Sequence, residues 1–224
     1  MSDPELAKNE KLDDSLTRWR VLEAIRWRLI SGGYRPSEKI KLRPLAQELG
    51  TSVTPIREAL LQLVAAGALI HSPQRSIVVP AANRETYSEV RGLRIILEPR
   101  IAAFATAEIS LGQIEHLEDL ARKLDRRDPD DVTEYKVDLV NFHFGLYSAA
   151  NRPVTLKMIE GLWLQSGPYL NYIIPDYLPF TKAPQLRAVI CRALRKRDAM
   201  AVAEAVEADL GNALTFLLER LQTE

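Results

Sequence analysis

The chain has 224 residues, of which 46% are hydrophobic and 27% charged, a composition typical of a globular protein with one or two packed domains. No apolar run approaches the roughly 18 residues of a membrane span, and residues 1–14 lack the apolar segment of a signal peptide. The single cysteine, Cys191, excludes an internal disulfide framework and is predicted to be a buried thiol in a helix. We therefore expect a cytoplasmic protein that does not contact a membrane.

The charge is unevenly distributed, although the net charge is zero. Residues 15–80 carry ten Lys or Arg and four Asp or Glu, a balance of +6, and the rest of the chain has a balance of −6. A basic module joined to an acidic one predicts that the first binds a polyanion. Chance asymmetry is the alternative that charge alone leaves open.

The first 80 residues predict a polar tail, three helices and a hairpin. Residues 1–14 are expected to form a flexible tail, and Ser15 is a candidate N-cap for a helix that ends before Gly32-Gly33. The apolar face expected for this helix consists of Leu16, Trp19, Leu22, Ile25 and Leu29.

Two further helices flank a tight corner. The second helix is predicted over Leu42 to Leu49, and the third runs from about Val53 to Ala66 behind a Thr51-Ser52 hydroxyl cap. Short β-branched runs at residues 69–70 and 77–79 bracket a turn and predict a hairpin. Residues 15–80 therefore predict a winged helix-turn-helix domain, in which the third helix buries Ile56, Leu60, Leu63 and Val64 and exposes Arg57.

Three segments, LAQELGTSVTPIREALLQL, AAGALI and PQRSIVV, follow one another in the order and spacing of a known family. On these segments, Arg18 to Pro80 resembles the N-terminal domain of the GntR family of bacterial transcription regulators. The resemblance implies binding to a double-stranded DNA operator. The DNA contacts that it implies come from Arg43, Ser52, Val53, Thr54, Arg57, Gln74 and Arg75.

Two positions depart from the family pattern. Val53 stands where the family usually has arginine, and Ser76 stands where it usually has glycine at the wing tip. Losing the arginine removes a guanine-type contact worth about 1–3 kcal/mol of discrimination, so we expect an operator that differs from the common family half-site. Each arginine also has a structural alternative: Arg57 could form a surface pair with Glu58, and Arg43 could cap a helix.

From Arg84 onward, helical periodicity replaces the strand signals, and residues 84–224 predict an all-α bundle. Breaks are expected at Asp128-Pro129-Asp130, at Asn151-Arg152-Pro153 and between Ile174 and Pro184. The predicted helices are Glu85–Ile109, Gly112–Arg126, Val132–Ala150, Val154–Leu170, Pro184–Lys196 and Ala199–Gln222.

The segments VRGLRIILEPRIAAFATAEIS, NFHFGLYSAANRPVTLKMIEGLW and ALRKRDAMAVAEAVEADL resemble the FCD effector-binding domain of one GntR subfamily. Many such domains hold a divalent metal with an Asp, a His four residues later and two further histidines. His143 matches the first histidine, but Asp138 lies five residues before it, which places the two side chains roughly 140° apart on a helix. Arg187 and Asp209 occupy the places of the other two histidines, and arginine cannot ligate a metal.

We therefore expect no metal cofactor and a pocket in which Arg187 clamps a small carboxylate effector. Asp209 is expected to pair with Arg187 when the pocket is empty. A loose metal site of Asp138, His143 and Asp209 is the alternative, and an ion pair with Glu98 is the alternative for Arg94. The predicted effector-binding residues are Arg94, Asn141, His143, Arg187 and Asp209.

These features together predict a homodimeric, ligand-responsive repressor without enzymatic activity. One rival interpretation is an enzyme that uses His143 with Asp138 or Asp209 as an acid–base pair, but no nucleophile elbow, phosphate loop or complete metal motif supports it. The other rival is an interaction module whose winged helix binds protein.

Overall fold

The computed structural model describes residues 4–126, 132–173 and 183–220. The chain divides into two compact units. The N-terminal unit comprises Met1–Leu29 with Tyr34–Ala81, and the helical unit comprises Ile30–Gly33 with Ala82–Glu224. The break predicted at Asp128-Pro129-Asp130 and most of the one between Ile174 and Pro184 lie outside the described residues.

The N-terminal unit contains three helices and a two-stranded antiparallel sheet, as predicted. Strand β1 (Ile70–His71) pairs with strand β2 (Ile77–Val78), so that Ile70 lies opposite Val78 and His71 lies opposite Ile77. Lys39 adds an isolated bridge to Val78. The elements are α1 (Pro4–Ile30), α2 (Leu42–Glu48), α3 (Val53–Ala65), β1 (Ile70–His71) and β2 (Ile77–Val78).

Helix α1 begins at Pro4 rather than at Ser15, within the segment that was expected to be a flexible tail. Proline suits the first turn of a helix, and residues 5–14 include several strong helix formers. A polar composition therefore predicted exposure here and did not exclude a helix.

The buried face of α1 also differs from the predicted one. Val21, Ile25 and Leu29 are buried, whereas Trp19 is 63% exposed and Leu16 is 49% exposed. Successive steps of three residues drift by about 60° each around a helix, so Leu16 lies opposite Ile25. Val21, Ile25 and Leu29, which are spaced four residues apart, form the face of α1 that is buried.

Helix α3 buries three of the four residues that its periodicity predicted, and Val64 is only partly buried. Ile56, Leu60 and Leu63 are at most 1% exposed. Leu69, Ile77 and Val79 from the region of the hairpin are also buried. Each such side chain contributes about 1.5–3 kcal/mol of burial free energy, so this small core fixes α3 relative to the hairpin.

The helical unit contains only helices and a 3-10 turn in its described part, as predicted. The predicted helix over Val154–Leu170 is divided, because Pro168 lacks a backbone N–H and a 3-10 turn, Gly167–Tyr169, separates two helices. Cys191 is buried in a helix, as predicted, and burial raises the pKa of its thiol to about 12. The helices are α4 (Arg84–Glu108), α5 (Leu111–Arg126), α6 (Val132–Ser148), α7 (Pro153–Ser166), α8 (Leu170–Ile173), α9 (Ala183–Arg195) and α10 (Ala199–Arg220).

Helices α4 and α7 pack side by side and run antiparallel. Near one end, the Arg94 guanidinium donates to Ser166 Oγ at 3.1 Å. Near the other, the Arg152 guanidinium lies 4.9 Å from the centre of the Phe104 ring. Helix α4 also packs on α10, and α9 packs on both α10 and α5. These contacts bring α4, α6, α9 and α10 around one buried polar region.

Gly32 joins the helical unit through its backbone. Its carbonyl accepts hydrogen bonds from Lys136 Nζ at 2.8 Å and Asn171 Nδ2 at 3.0 Å. Its φ of +65° is favourable only for glycine, and a Cβ here would lie 3.0 Å from the Gly167 carbonyl oxygen and 3.1 Å from Leu170 Cβ. Both the conformation and the close packing therefore require glycine.

None of the described helices combines the length and the apolar character that crossing a bilayer demands.

Candidate functional site

A tight corner between α2 and α3 exposes the first turn of α3. Gly50 takes a φ of +63°, and the Thr51 amide donates to the Ala46 carbonyl at 2.9 Å. Ser52 occupies the N-cap with extended backbone, but its side chain makes no capping hydrogen bond, so the predicted hydroxyl cap is wrong at this position. Ser52 and Thr54 are both exposed at this end of the helix.

Arg43 and Arg57 are exposed and have no acidic partner among the described residues. Glu58, the predicted alternative partner of Arg57, instead lies 3.4 Å from Arg18 Nε. Lys41 rather than Arg43 holds the N-cap of α2, and no side-chain cap forms there. Both structural alternatives for these arginines are therefore absent. Val53 is partly buried.

The hairpin turn is closed by two serines. The Ser72 amide donates to the Ser76 carbonyl at 2.8 Å, and the two hydroxyls lie 2.7 Å apart. The left-handed residue is Arg75, with a φ of +60°, so the position where the family has glycine does not require it here. Ser76 instead joins the two sides of the turn, which holds the exposed Gln74 and Arg75 at its tip.

A basic groove lies between α3 and the hairpin. Arg57 and Arg75 line it together with Lys39, Lys41 and His71, which sequence analysis did not select. Lys39 and Lys41 are exposed on either side of the buried Ile40. In an extended segment this alternation places both cations on one face, and it is the pattern in the sequence that could have indicated these two lysines. This groove carries charge suited to phosphates.

A buried ion pair occupies the centre of the helical unit. Glu98 is 0% exposed and accepts from Arg94 Nε at 2.6 Å, Tyr147 Oη at 2.7 Å and Trp163 Nε1 at 3.0 Å. The alternative predicted for Arg94 is thus the one observed, and its charge is neutralised by Glu98 rather than left for an effector. The sequence pattern indicates Glu98 only as that alternative partner of Arg94.

The hydrogen bonds of Tyr147 fix the tautomer of His143. Because the Tyr147 hydroxyl donates to Glu98, its oxygen accepts from His143 Nδ1, which lies 3.1 Å away. Burial, with the charges of Arg94 and Arg187, lowers the pKa of His143 to about 3. The imidazole is therefore neutral near pH 7, with its proton on Nδ1 and a free lone pair on Nε2.

Asp209 faces that lone pair. Its Oδ2 lies 3.4 Å from His143 Nε2, and burial raises the pKa of its carboxyl group to about 6, although Arg187 and Arg94 oppose this shift. The expected pairing of Asp209 with Arg187 is wrong. The Arg187 guanidinium instead approaches Asp125 on α5, with 3.5 Å between Nη2 and Oδ1, because α5 packs against α9.

Arg187 is 1% exposed, yet its hydrogen-bonding capacity is largely unused. Neither Nε nor Nη2 makes a hydrogen bond among the described residues, although Nη2 is ion-paired with Asp125 Oδ1 at 3.5 Å. Since a buried charged donor that makes no hydrogen bond is costly, this edge of the guanidinium is the strongest sign of a ligand site in the helical unit.

The remaining predicted residues lie apart from this cluster. Asn141 is partly exposed and, two residues before His143, lies roughly 200° away around α6. Asp138 is also partly exposed and takes no part in the His143–Asp209 pair. Among the described residues, no three His, Cys, Asp or Glu side chains are placed to hold a metal ion. With a guanidinium at a third ligand position, the site does not fit the metal that the FCD resemblance implies.

A basic winged helix-turn-helix followed by a helical unit with a buried polar site defines a DNA-binding transcription regulator. Residues 17–79 match the family model described as bacterial regulatory proteins of the gntR family, and residues 89–212 match that of the FCD domain. The chain belongs to the GntR family and to its FCD subfamily, as the resemblance predicted.

Two relatives illustrate this membership. The chain is 31% identical over 155 residues to the HTH-type transcriptional regulator McbR of Escherichia coli (strain K12), which covers 69% of this chain and 70% of that protein. It is 28% identical over 134 residues to the Nta operon transcriptional regulator of Aminobacter aminovorans, covering 59% and 63%. The solved structure of E. coli McbR/YncC superposes with a TM-score of 0.81 at 25% identity, over 92% of this chain and 98% of that one.

Proposed function

We propose that this regulator is a cytoplasmic repressor that binds a palindromic operator as a homodimer and responds to a small organic acid in its helical unit. The observation that supports an effector is the buried edge of Arg187, whose Nε and Nη2 make no hydrogen bond among the described residues. It lies in a chain whose other unit presents unpaired exposed arginines at a helix N-terminus.

The proposed operator contacts are of three kinds: contacts to base edges, contacts to phosphates and contacts made by the wing. The first turn of α3 enters the major groove, where Ser52, Thr54 and Arg57 meet base edges and Val53 packs on a thymine methyl. Arg43 and the groove lysines bind phosphates and set the register. The wing tip, with Gln74 and Arg75, reaches the adjacent minor groove or its phosphates.

An apolar surface on α4 and α7 supports the dimer. Ile96 is 65% exposed, and Leu93 and Phe104 are exposed on the same side of α4. On the antiparallel α7, Val154 and Met158 are exposed as well. A second copy of this chain is the partner that we propose for this surface, because a two-fold axis lets one apolar patch cover its own counterpart.

Changing Ile96 to glutamate is therefore expected to dissociate the dimer, because two buried carboxylates would face each other across the axis. Sedimentation velocity at micromolar protein should show the monomer mass for Ile96→Glu. Met200→Glu is the matched control, since Met200 on α10 is even more exposed and lies on neither helix of the proposed interface. A dimeric Ile96→Glu protein would contradict this assignment.

The effector site follows from the charge of Arg187. A guanidinium edge whose two N–H groups make no hydrogen bond can pair with a carboxylate through two parallel hydrogen bonds. Such a ligand regulates DNA binding only if it binds one dimer geometry more tightly than another.

A mobility-shift titration tests the whole proposal. DNA from upstream of the regulator's own operon is compared with random duplex of equal length at fixed salt, because ionic strength changes all DNA affinities. We expect preference for the upstream DNA, and its release when carboxylates are added in the presence of EDTA. Equal affinity for both duplexes would favour the protein-interaction alternative, and turnover of an added acid would favour the enzyme.

A further inference from the structure

The wing hairpin contains a backbone conformation that arginine adopts only at a cost in free energy. Arg75 has a φ of +60°, in the left-handed region that favours glycine. Hairpins in which one left-handed residue follows the turn usually place glycine at that residue. An exposed arginine takes this place here. Residues in such conformations persist only where the surrounding structure holds them, and they concentrate at functional sites.

Two serines hold Arg75 in this conformation. The Arg75 amide donates to the Ser72 carbonyl at 2.9 Å, and the Ser72 amide donates to the Ser76 carbonyl at 2.8 Å. The Ser76 amide donates to Ser72 Oγ at 3.2 Å, and the two hydroxyls form a hydrogen bond at 2.7 Å. We call the hydrogen bonds that join Ser72 to Ser76 the serine clasp. The glycine that the family usually has at the position of Ser76 offers no hydroxyl for the last of these bonds.

The turn that the serine clasp closes brings Arg75 to the basic groove between α3 and the hairpin. Gln74, the neighbouring residue at the tip, is exposed but is not among the described residues that line this groove. The other basic side chains that line it with Arg75 are Lys39, Lys41, Arg57 and His71. Cations from three separate segments that meet along one groove are suited to the phosphates of a DNA strand.

We propose that the serine clasp preorganises Arg75 as a phosphate ligand of the DNA strand that lies in the basic groove. Arg75 makes the contact, and Ser72 and Ser76 are positioning residues. A side chain whose backbone is already fixed loses less conformational freedom on binding, so the serine clasp raises the affinity for DNA without adding a contact. This inference rests on the proposed function, which supplies DNA as the ligand of the N-terminal unit.

Changing Arg75 to glycine separates the cost of the conformation from the contact. Glycine adopts a φ of +60° readily, so Arg75→Gly should unfold at a higher urea concentration than the matched control Gln74→Gly, which changes a residue outside the left-handed region. At about 0.15 M salt, Arg75→Gly should lose about 5-fold in DNA affinity in each half-site, and the plot of log affinity against log salt should lose about one unit of slope per half-site. Gln74→Gly should keep the slope.

Fluorescence anisotropy over a salt series measures both quantities. Full-length protein is titrated onto labelled duplex from upstream of its own operon and onto random duplex of equal length. Because a phosphate contact is independent of sequence, Arg75→Gly should weaken binding to the two duplexes by the same factor.

Changing Ser76 to alanine tests the serine clasp, because it removes one hydroxyl and keeps Arg75. DNA affinity should fall about 2- to 10-fold in each half-site, the range for ordering one side chain on binding. The salt slope should stay unchanged, because the phosphate contact still forms. Ser76→Thr keeps a hydroxyl and should restore the affinity. In the Arg75→Gly background, Ser76→Ala should have no further effect, because no contact is left to position.

Each contrary result overturns a named part of the inference. A Ser76→Ala protein with unchanged DNA affinity, or one that loses as much affinity in the Arg75→Gly background, overturns the positioning role of the serines. A loss in Arg75→Gly that is confined to the upstream duplex overturns the phosphate contact. Equal binding of the two duplexes by the unaltered protein contradicts the proposed operator but not this inference, because the expected losses are measured on random duplex as well. If the protein binds neither duplex, both proposals fail.

Discussion

Replacing Glu98 with alanine should lower the free energy of unfolding by about 3–5 kcal/mol, the usual cost of leaving a buried charge without its partner. Arg94 is 5% exposed and has Glu98 as its carboxylate partner at 2.6 Å. The change also leaves the Tyr147 hydroxyl and the Trp163 indole without their acceptor. Urea denaturation followed by circular dichroism measures the loss.

The matched control is another arginine–glutamate pair in the same unit. Glu118 accepts from Arg195 at 2.8 Å, but both side chains are partly exposed, so Glu118→Ala should have a much smaller effect. The double variant Arg94→Met with Glu98→Leu should recover part of the loss, because it removes the uncompensated cation. A Glu98→Ala protein as stable as the Glu118→Ala protein would show that the buried pair is not a stabilising element.

Arg57→Ala is expected to reduce operator affinity by about 1–3 kcal/mol in each half-site if the side chain meets a base, and a dimer loses that contact twice. The cause is direct: Arg57 is an exposed cation at the N-terminal end of α3 and is not engaged by Glu58. Fluorescence anisotropy with labelled operator and with random duplex distinguishes a contact to a base from a contact to a phosphate. A base contact lowers specific binding far more than non-specific binding.

Arg192→Ala serves as the control, because Arg192 is an exposed arginine on α9 of the helical unit. It should leave operator affinity unchanged. Arg57→Ala should also leave effector binding and the unfolding transition intact, since its side chain is exposed. If Arg57→Ala weakens operator and random duplex equally, the residue binds phosphate, and the plot of log affinity against log salt should lose about one unit of slope. Unchanged affinity for both duplexes would contradict the assigned role.

Local patterns predicted the features that depend on neighbours in sequence. The face of α3 follows from Ile56, Leu60 and Leu63, whose spacing of four and three residues leaves one consistent core face. The same reasoning failed in α1, where Trp19 offered a competing apolar position and only tertiary packing shows that Val21 is inside.

Long-range partners could not be predicted in this way. Asp125 and Arg187 are far apart in sequence, and nothing in either segment signals that α5 packs against α9. The resemblance brought His143, Arg187 and Asp209 to notice, but it did not show that Asp209 faces His143 rather than Arg187. The tautomer of His143 depends on Tyr147 of the same helix and on Glu98 of α4. It could be assigned only once the packing of α4 against α6 was known.

The attachment of Gly32 has a consequence for domain exchange in this family. Residues 30–33 interrupt the N-terminal unit in sequence but are held by Lys136 and Asn171 of the helical unit. A chimaera joined only near residue 81 would combine one regulator's segment 30–33 with another's α6 and α8. We expect a chimaera of this chain to keep these contacts when residues 30–33 are inherited with the helical unit, so a single crossover near residue 81 does not separate the two units cleanly.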